Sequence, residues 1–384
     1  MKKSSPNNGG LPAARAGFPL TFLLFLLCCF TGCRKHFDLK SLKEFKQVNL
    51  VTSDAEYPAT YTDTALKNAW GIAFNPSGVA WVTSTGGHVS TVYNAEGMTL
   101  RPPVAIPSPA GATGGMPTGI VLNNAGPNDF MLSNGARAAF IFAGADGILS
   151  GWNGAAGNMA LAIKNNSATA AYTGLAIGQW AGRHYLYAAN FRAGKINVWD
   201  AKFDSVSMYF YDHGLPEGYA PFNIQNIGGK LFVTYAKVGE DGRAVKEEGK
   251  GYVAVYTTSG QFVGPFAARG HLNAPWGLAK ASASFFADTG DNGLFVEEKD
   301  GGHHRYRQPA ILVGNFGDGR INAYSLVGDY LGQLKTKEKV IEIEGLWALM
   351  FPPASAISID RNRLYFAAGP DDETEGLFGY IAKD

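Results

Sequence analysis

Hydrophobic positions in this chain come in short runs rather than long stripes. Stretches such as KLFVTYA (230–236) and RLYFAAG (363–369) mix β-branched, aromatic and small residues over about one strand length and stop at glycines or polar turns. Runs of this kind bounded by turn residues read as β-strands. The chain holds 49 glycines and 17 tyrosines with 46% hydrophobic residues, enough apolar surface for a large core and enough glycine for many tight turns.

The runs repeat. NFGDGRINAY (315–324) matches NFRAGKINVW (190–199), and its core, G-x-apolar-x-x-aromatic, returns at Gly147 (GILSGW) and Gly251 (GYVAVY), with looser copies at Gly87 (GHVSTVY) and Gly376 (GLFGYI). A second motif precedes each copy: an aromatic or Thr, a small residue, then an apolar one. Its copies begin at Trp70, Thr118, Thr173, Phe222, Trp276 and Trp347. The small residues Gly71, Gly119, Gly174, Asn223, Gly277 and Ala348 stand 48, 55, 49, 54 and 71 residues apart. Six paired signals at this period predict an all-β fold, a six-bladed β-propeller of four-stranded blades. The long last interval has its cause in residues 288–308, a polar, glycine-rich loop between the first two strands of blade 5. The chain ends just past the third strand of blade 6, so FKQVNLVT (Phe45–Thr52) is expected to supply that blade's outer strand and remove an exposed sheet edge.

Thirty-three basic against 32 acidic side chains leave a formal charge of +1, which excludes the electrostatic footprint of a nucleic-acid binder. The N-terminus reads as an export signal: Lys2, Lys3 and Arg15 precede a largely apolar run at 20–30, too short to span a bilayer. Thr31-Gly32-Cys33 follows in the form of a bacterial lipobox, with Phe30 in place of the usual aliphatic residue. Lipidation of Cys33 would remove the only thiol left after cleavage, since Cys28 and Cys29 lie in the signal. The expected organisation is a signal peptide at 1–32, a tether at 33–46 and the propeller at 47–384, held at the membrane of a bacterial cell envelope, in the outer membrane, by several acyl chains.

The runs NAWGIAFNPSG, YAPFNIQNIGGKLFVTYAK, LNAPWGLA, ILVGNFGDGRINAYS, GLWAL and LYFAAGPDDETEGLFGYI together resemble a conserved hypothetical family of exported bacterial proteins, similar to NHL-type and TolB-like six-bladed propellers. The resemblance runs from about residue 48 to 381. It implies the same fold and carries no established activity.

Antiparallel topology puts the start of each first strand and the second hairpin of each blade on one face. On that face the sequence gathers His88, Asp146, Asn190, Asn315, Asp318, Asp371, Asp372, Glu373 and Glu375, with Trp70, Phe222, Trp276 and Trp347 beside them. His88, Asn190, Asn315, Asp371, Asp372 and Glu373 are the candidate channel-mouth residues. Carboxylate and amide oxygens suit a hard cation, so Asn190, Asn315 and Asp371 could hold Ca²⁺. The alternative is that both asparagines cap hairpins and the acidic string is a solvated turn. The aromatic positions are expected to pack between blades. His303 and His304 with Arg305 and Arg307 lie in the loop insertion, without the spacing of a transition-metal site. No G-x-S-x-G elbow occurs. The leading expectation is a binding or scaffold module for an extracellular protein partner or a carbohydrate. The second is a metal-dependent hydrolase of lactonase type, in which the ion would activate water.

Overall fold

Short strands of β-branched and aromatic residues, each ended by a glycine or Asx turn, pair in chain order into four-stranded antiparallel sheets in the computed structural model. The structure describes residues 42–287 and 308–384. The expected signal, Cys33, most of the tether, and the loop insertion with His303 and His304 lie outside the described residues. Blade 1 comprises Ala69–Phe74, Ala80–Ser84, Val89–Tyr93 and Val104–Ala105, and blade 2 comprises Pro117–Leu122, Phe140–Gly144, Ile148–Trp152 and Leu161–Asn165. Blade 3 runs from Tyr172–Trp180 through Arg183–Asn190 and Lys195–Asp200 to Ser205–Val206. Blade 4 is Tyr219–Ile227, Lys230–Lys237, Gly251–Thr257 and Phe262–Ala268; blade 5 is Pro275–Ala281, Ala310–Asn315, Ile321–Tyr324 and Tyr330–Gln333.

Blade 6 has only three strands at the C-terminal end, Leu346–Met350, Leu364–Ala368 and Leu377–Lys383. Phe45–Thr52 completes it, pairing antiparallel with Leu377–Lys383 from Phe45↔Lys383 to Thr52↔Leu377. Tyr61–Thr62 then adds in parallel on the outside. Leu42 and Phe45 are each 2% exposed and pack with Phe285 and Phe286, so the folded part begins before the residue 47 that the sequence suggested. The reason is apolar: these two side chains cover the edge of the core between blades 5 and 6.

One irregularity recurs in all six blades. The ladder between first and second strands skips the residue that opens the second motif, with register shifts at Ala69/Ile72, Tyr172/Gly174, Pro221/Asn223, Pro275/Gly277 and Leu346/Leu349. In blade 2 the same jump runs from Gly119 to Pro117. A bulge frees its extra residue from the ladder and re-aims the side chain. The freed residues are Trp70, Thr118, Thr173, Phe222, Trp276 and Trp347. The small residue that follows each is set by the neighbouring blade: a Cβ on Gly71 would lie 2.4 Å from the Thr118 carbonyl, and one on Gly119 2.5 Å from the Leu175 nitrogen.

The freed aromatics converge on the propeller axis, with the Phe of both NF motifs. Trp347 stacks on Trp70 at 3.5 Å and on Phe316 at 3.8 Å between ring centroids. Trp70 reaches Trp276 at 6.4 Å and Phe222 reaches Trp347 at 5.7 Å. These join blades 1 with 5 and 4 with 6, which are not neighbours in the ring, so the rings meet across the axis. Phe191 joins through Phe222 at 5.2 Å. The Trp276 indole N–H donates across the axis to the Thr173 carbonyl at 2.8 Å, and that of Trp347 to Asn68 Oδ1 at 2.9 Å. The expectation that all repeat aromatics lie between blades therefore holds for only one set. Trp152, Trp199, Tyr256 and Tyr324, from the third strands, do pack between neighbouring blades. The first-strand set forms an axial plug, because the bulges turn it out of the sheets.

Trp347→Ala is expected to cost about 3–5 kcal/mol of unfolding free energy, read from the urea midpoint, because the cavity opens at the centre of the plug. Burial pushes Tyr172, Tyr256 and Tyr365 from 10.0 up to about 12. The folded chain thus keeps protons that the unfolded chain releases near pH 10, so this stability is complete below pH 10 and is lost as pH rises toward 12. The urea midpoint should fall across that window, with tyrosinate absorbance rising together with unfolding; a flat midpoint would contradict it.

Candidate functional site

The face carrying the plug is where the sequence placed its channel-mouth residues; all but exposed Asp372 are engaged inside their own neighbourhoods. Asn190 ends a strand and is 1% exposed. Its Oδ1 accepts the backbone N–H groups of Ala171 and Ala193, both at 3.2 Å, and its Nδ2 donates to Asn197 Oδ1 at 2.9 Å and the Thr169 carbonyl. That is the hairpin-capping role of an asparagine. Asn315, its twin, is 0% exposed and donates to the His271 carbonyl at 2.7 Å and to Asp318 Oδ1 at 3.0 Å. His88 holds the Gly115 carbonyl through Nδ1 at 2.8 Å. Asp146 accepts the N–H groups of Met116 and Ile148, and burial raises its carboxyl above the ordinary range.

The acidic string is a strained turn whose Asp371 and Asp372 are exposed to solvent. Asp371, Asp372 and Glu373 adopt left-handed φ values of 53°, 49° and 71°, a conformation that costs side-chain-bearing residues on the order of 1–2 kcal/mol each. Contacts on both sides hold it. Asp371 N–H donates to Glu344 Oε1, Thr374 Oγ1 donates to Asp371 Oδ2, and Glu373 Oε2 accepts Asn68 Nδ2 at 2.9 Å. Asn68 in turn receives the Trp347 indole, so the strained turn braces the plug. Beside it Glu375 binds Lys67 at 2.6 Å and Ser53 at 2.5 Å, which together hold its carboxyl below the usual value and tie the closing strand to blade 6.

A single hard cation needs its oxygens at about 2.4 Å from one point. No contact among the described residues joins Asn190, Asn315 and Asp371. Asn190 Oδ1 is already occupied by two N–H donors. The three therefore do not fit a shared Ca²⁺, and among the described residues no group of three or more His, Cys, Asp or Glu is arranged to hold a metal.

The open space lies at the other end of the axis. A cavity of about 540 Å³ is walled by the first strands beyond their bulges and floored by the plug, which contributes Trp276. Ile72, Phe74, Ile120, Leu122, Leu175, Ile177, Leu349, Met350 and Phe351 make the wall apolar. Four side-chain amides interrupt it: Asn124, Asn223, Gln225 and Asn226. Asn223 is spent on the inner ring, donating to the Trp276 carbonyl at 2.8 Å and accepting from Ile224 N–H. Asn226 bridges to the Ile177 carbonyl at 3.0 Å. The side-chain amides of exposed Asn124 and half-buried Gln225 make no hydrogen bond among the described residues and can turn to a ligand. Among the described residues no carboxylate, imidazole, amine, guanidinium or thiol lines this wall.

Sequence reasoning missed this end because its residues are ordinary strand residues. The one signal was available: the apolar residue closing each second motif sits one step beyond the bulge, and the run from it to the strand end faces the axis.

No family profile matches the chain. Structures of similar architecture include a streptogramin B lyase, 12% identical, covering 88% of this chain and 97% of that one at a TM-score of 0.45. Another is regucalcin, a calcium-binding protein of Agrobacterium tumefaciens, 14% identical, with 88% and 95% covered at 0.47. Such low scores add nothing to the chain's own sheet topology. Among sequence relatives, Uncharacterized protein R648 of Acanthamoeba polyphaga mimivirus is 29% identical over 353 residues, covering 88% of this chain and 80% of its own length. Uncharacterized protein L690 of the same virus is 30% identical over 351 residues, 88% of this chain and 86% of its own. At 30% identity over 88% of this chain and 86% of that protein, the chain belongs to one family with mimivirus protein L690.

Proposed function

We propose that this propeller is a binding module that seats an uncharged, saccharide-like ligand in the axial cavity and is presented at the cell envelope by a lipid on Cys33. The observation that carries the reading is the cavity wall as the described residues form it: apolar and aromatic faces, two unengaged amides and no charged group. Its volume of about 540 Å³ falls in the range of small-molecule sites. Aromatic faces suit the C–H faces of a sugar ring, and side-chain amides both donate to and accept from hydroxyl groups. An ionised ligand would lose hydration without gaining a counter-charge. The lactonase alternative draws no support from the described residues of this wall, which include neither a general acid or base nor a carboxylate for a metal ion. The basic residues, apolar run and cysteine at the N-terminus support the anchor.

Titration of the protein with a panel of neutral mono- and disaccharides, followed by calorimetry, should find binding that Gln225→Ala weakens roughly 2- to 10-fold, the loss of about one hydrogen bond. Leu122→Trp should abolish it by filling the cavity. Binding indifferent to both variants, or preference for uronic acids over neutral sugars, would defeat the reading. Separately, Cys33→Ser should move the protein from the membrane to the soluble fraction; retention on the membrane would reject lipidation there.

A further inference from the structure

The two NF motifs differ in one chemical respect. In blade 3 the Asn190 oxygen is saturated by two backbone N–H groups. In blade 5 the matching oxygen of Asn315 has no hydrogen-bond partner among the described residues, although the residue is 0% exposed. Nearby Asn273, 7% exposed, also carries a buried and unpartnered Oδ1. Each such acceptor has lost its water without gaining a donor. Two beside one carboxylate ask for a cause.

Both asparagines direct their nitrogens at one carboxylate. Asn315 Nδ2 lies 3.0 Å from Asp318 Oδ1, and Asn273 Nδ2 lies 3.4 Å from Asp318 Oδ2. Asn315 Nδ2 is also 2.7 Å from the His271 carbonyl, which keeps a second bond from Asn322. An amide turned by half a rotation exchanges its nitrogen and oxygen positions. Turned so, the Asn315 oxygen would face Asp318 at 3.0 Å and the His271 carbonyl at 2.7 Å, and the Asn273 oxygen would face Asp318 at 3.4 Å. Oxygens that close repel unless a cation lies between them, and this is the spacing of neighbouring ligands around an ion bound at about 2.4 Å.

We propose that this hairpin is a Ca²⁺-class site formed by the Asp318 carboxylate, the amide oxygens of Asn315 and Asn273, and the His271 carbonyl. Without the ion the amides donate to Asp318; with it they rotate and ligate. The sequence change between the twin motifs fits this. Blade 3 has Arg192-Ala193 where blade 5 has Gly317-Asp318. Asp318 supplies the charge, and a Cβ at residue 317 would lie 1.9 Å from Asn273 Oδ1, so only glycine leaves room for that amide. Asp318 is half-buried and reachable, and water can complete the shell of six to eight oxygens. With one carboxylate among neutral ligands the affinity falls in the weak class, with Kd of about 10⁻⁴–10⁻³ M. The site is independent of the axial cavity.

The test uses the full chain, first freed of divalent ions, with Ca²⁺ alone as the probe and Mg²⁺ for comparison, read by calorimetry and by thermal midpoint. One saturable Ca²⁺ site that raises the midpoint is expected, with Mg²⁺ weaker. Asp318→Asn, a conservative change at a half-buried position, should lower affinity at least about tenfold and erase the midpoint rise, with folding checked by circular dichroism. Asp371→Asn should leave binding unchanged. The proposal is overturned by no saturable binding in the wild type up to about 10 mM, well above the expected range, by Asp318→Asn binding as the wild type does, or by loss of the site in Asp371→Asn.

Discussion

The structure depends on a bulge repeated six times. At the start of every first strand one residue is released from the ladder, and in four blades it is a large aromatic. A propeller closes only if its inner strands approach to backbone contact, which the small residues after the bulge permit. The same approach leaves no space between blades for the aromatics that precede them. They turn to the axis and stack, with Phe191 and Phe316 added from the second hairpins. The burial of these rings is non-local: Trp347 touches residues of blades 1, 4 and 5 at once.

That plug divides the axis into unlike ends. On its own face, polar residues serve the plug and the hairpins: Asn68 links Trp347 to Glu373, and three left-handed residues are held in place by contacts on both sides. Strain of this kind persists only where surroundings fix it. On the other face the described residues leave the axis open, and the first strands enclose a mostly apolar cavity. The channel mouth suggested by hairpin topology is thus closed, and the usable space is the end to which no motif pointed.

The repeat also shows how one blade signature takes on different duties. Asn190 and Asn315 occupy equivalent strand ends, and both following Phe residues enter the plug. The fourth position separates them. Ala193 offers only its N–H to the asparagine, whereas Asp318 offers a carboxylate that draws the amide nitrogen and leaves the oxygen bare.

Read alone, the amino-acid sequence determined blade number, strand order and closure by Phe45–Thr52, because these follow from periodicity and from turn chemistry, which are local. It determined that the third-strand aromatics would be buried between blades, since their spacing from the hairpin glycine fixes which side of the strand they occupy. What tertiary structure alone decided was the fate of residues whose surroundings come from distant parts of the chain. Trp70 meets Trp347 across 277 positions, a proximity no local pattern encodes. Asn190 and Asn315 read alike as letters, and only the atoms around each amide distinguish a finished cap from an oxygen left without a partner.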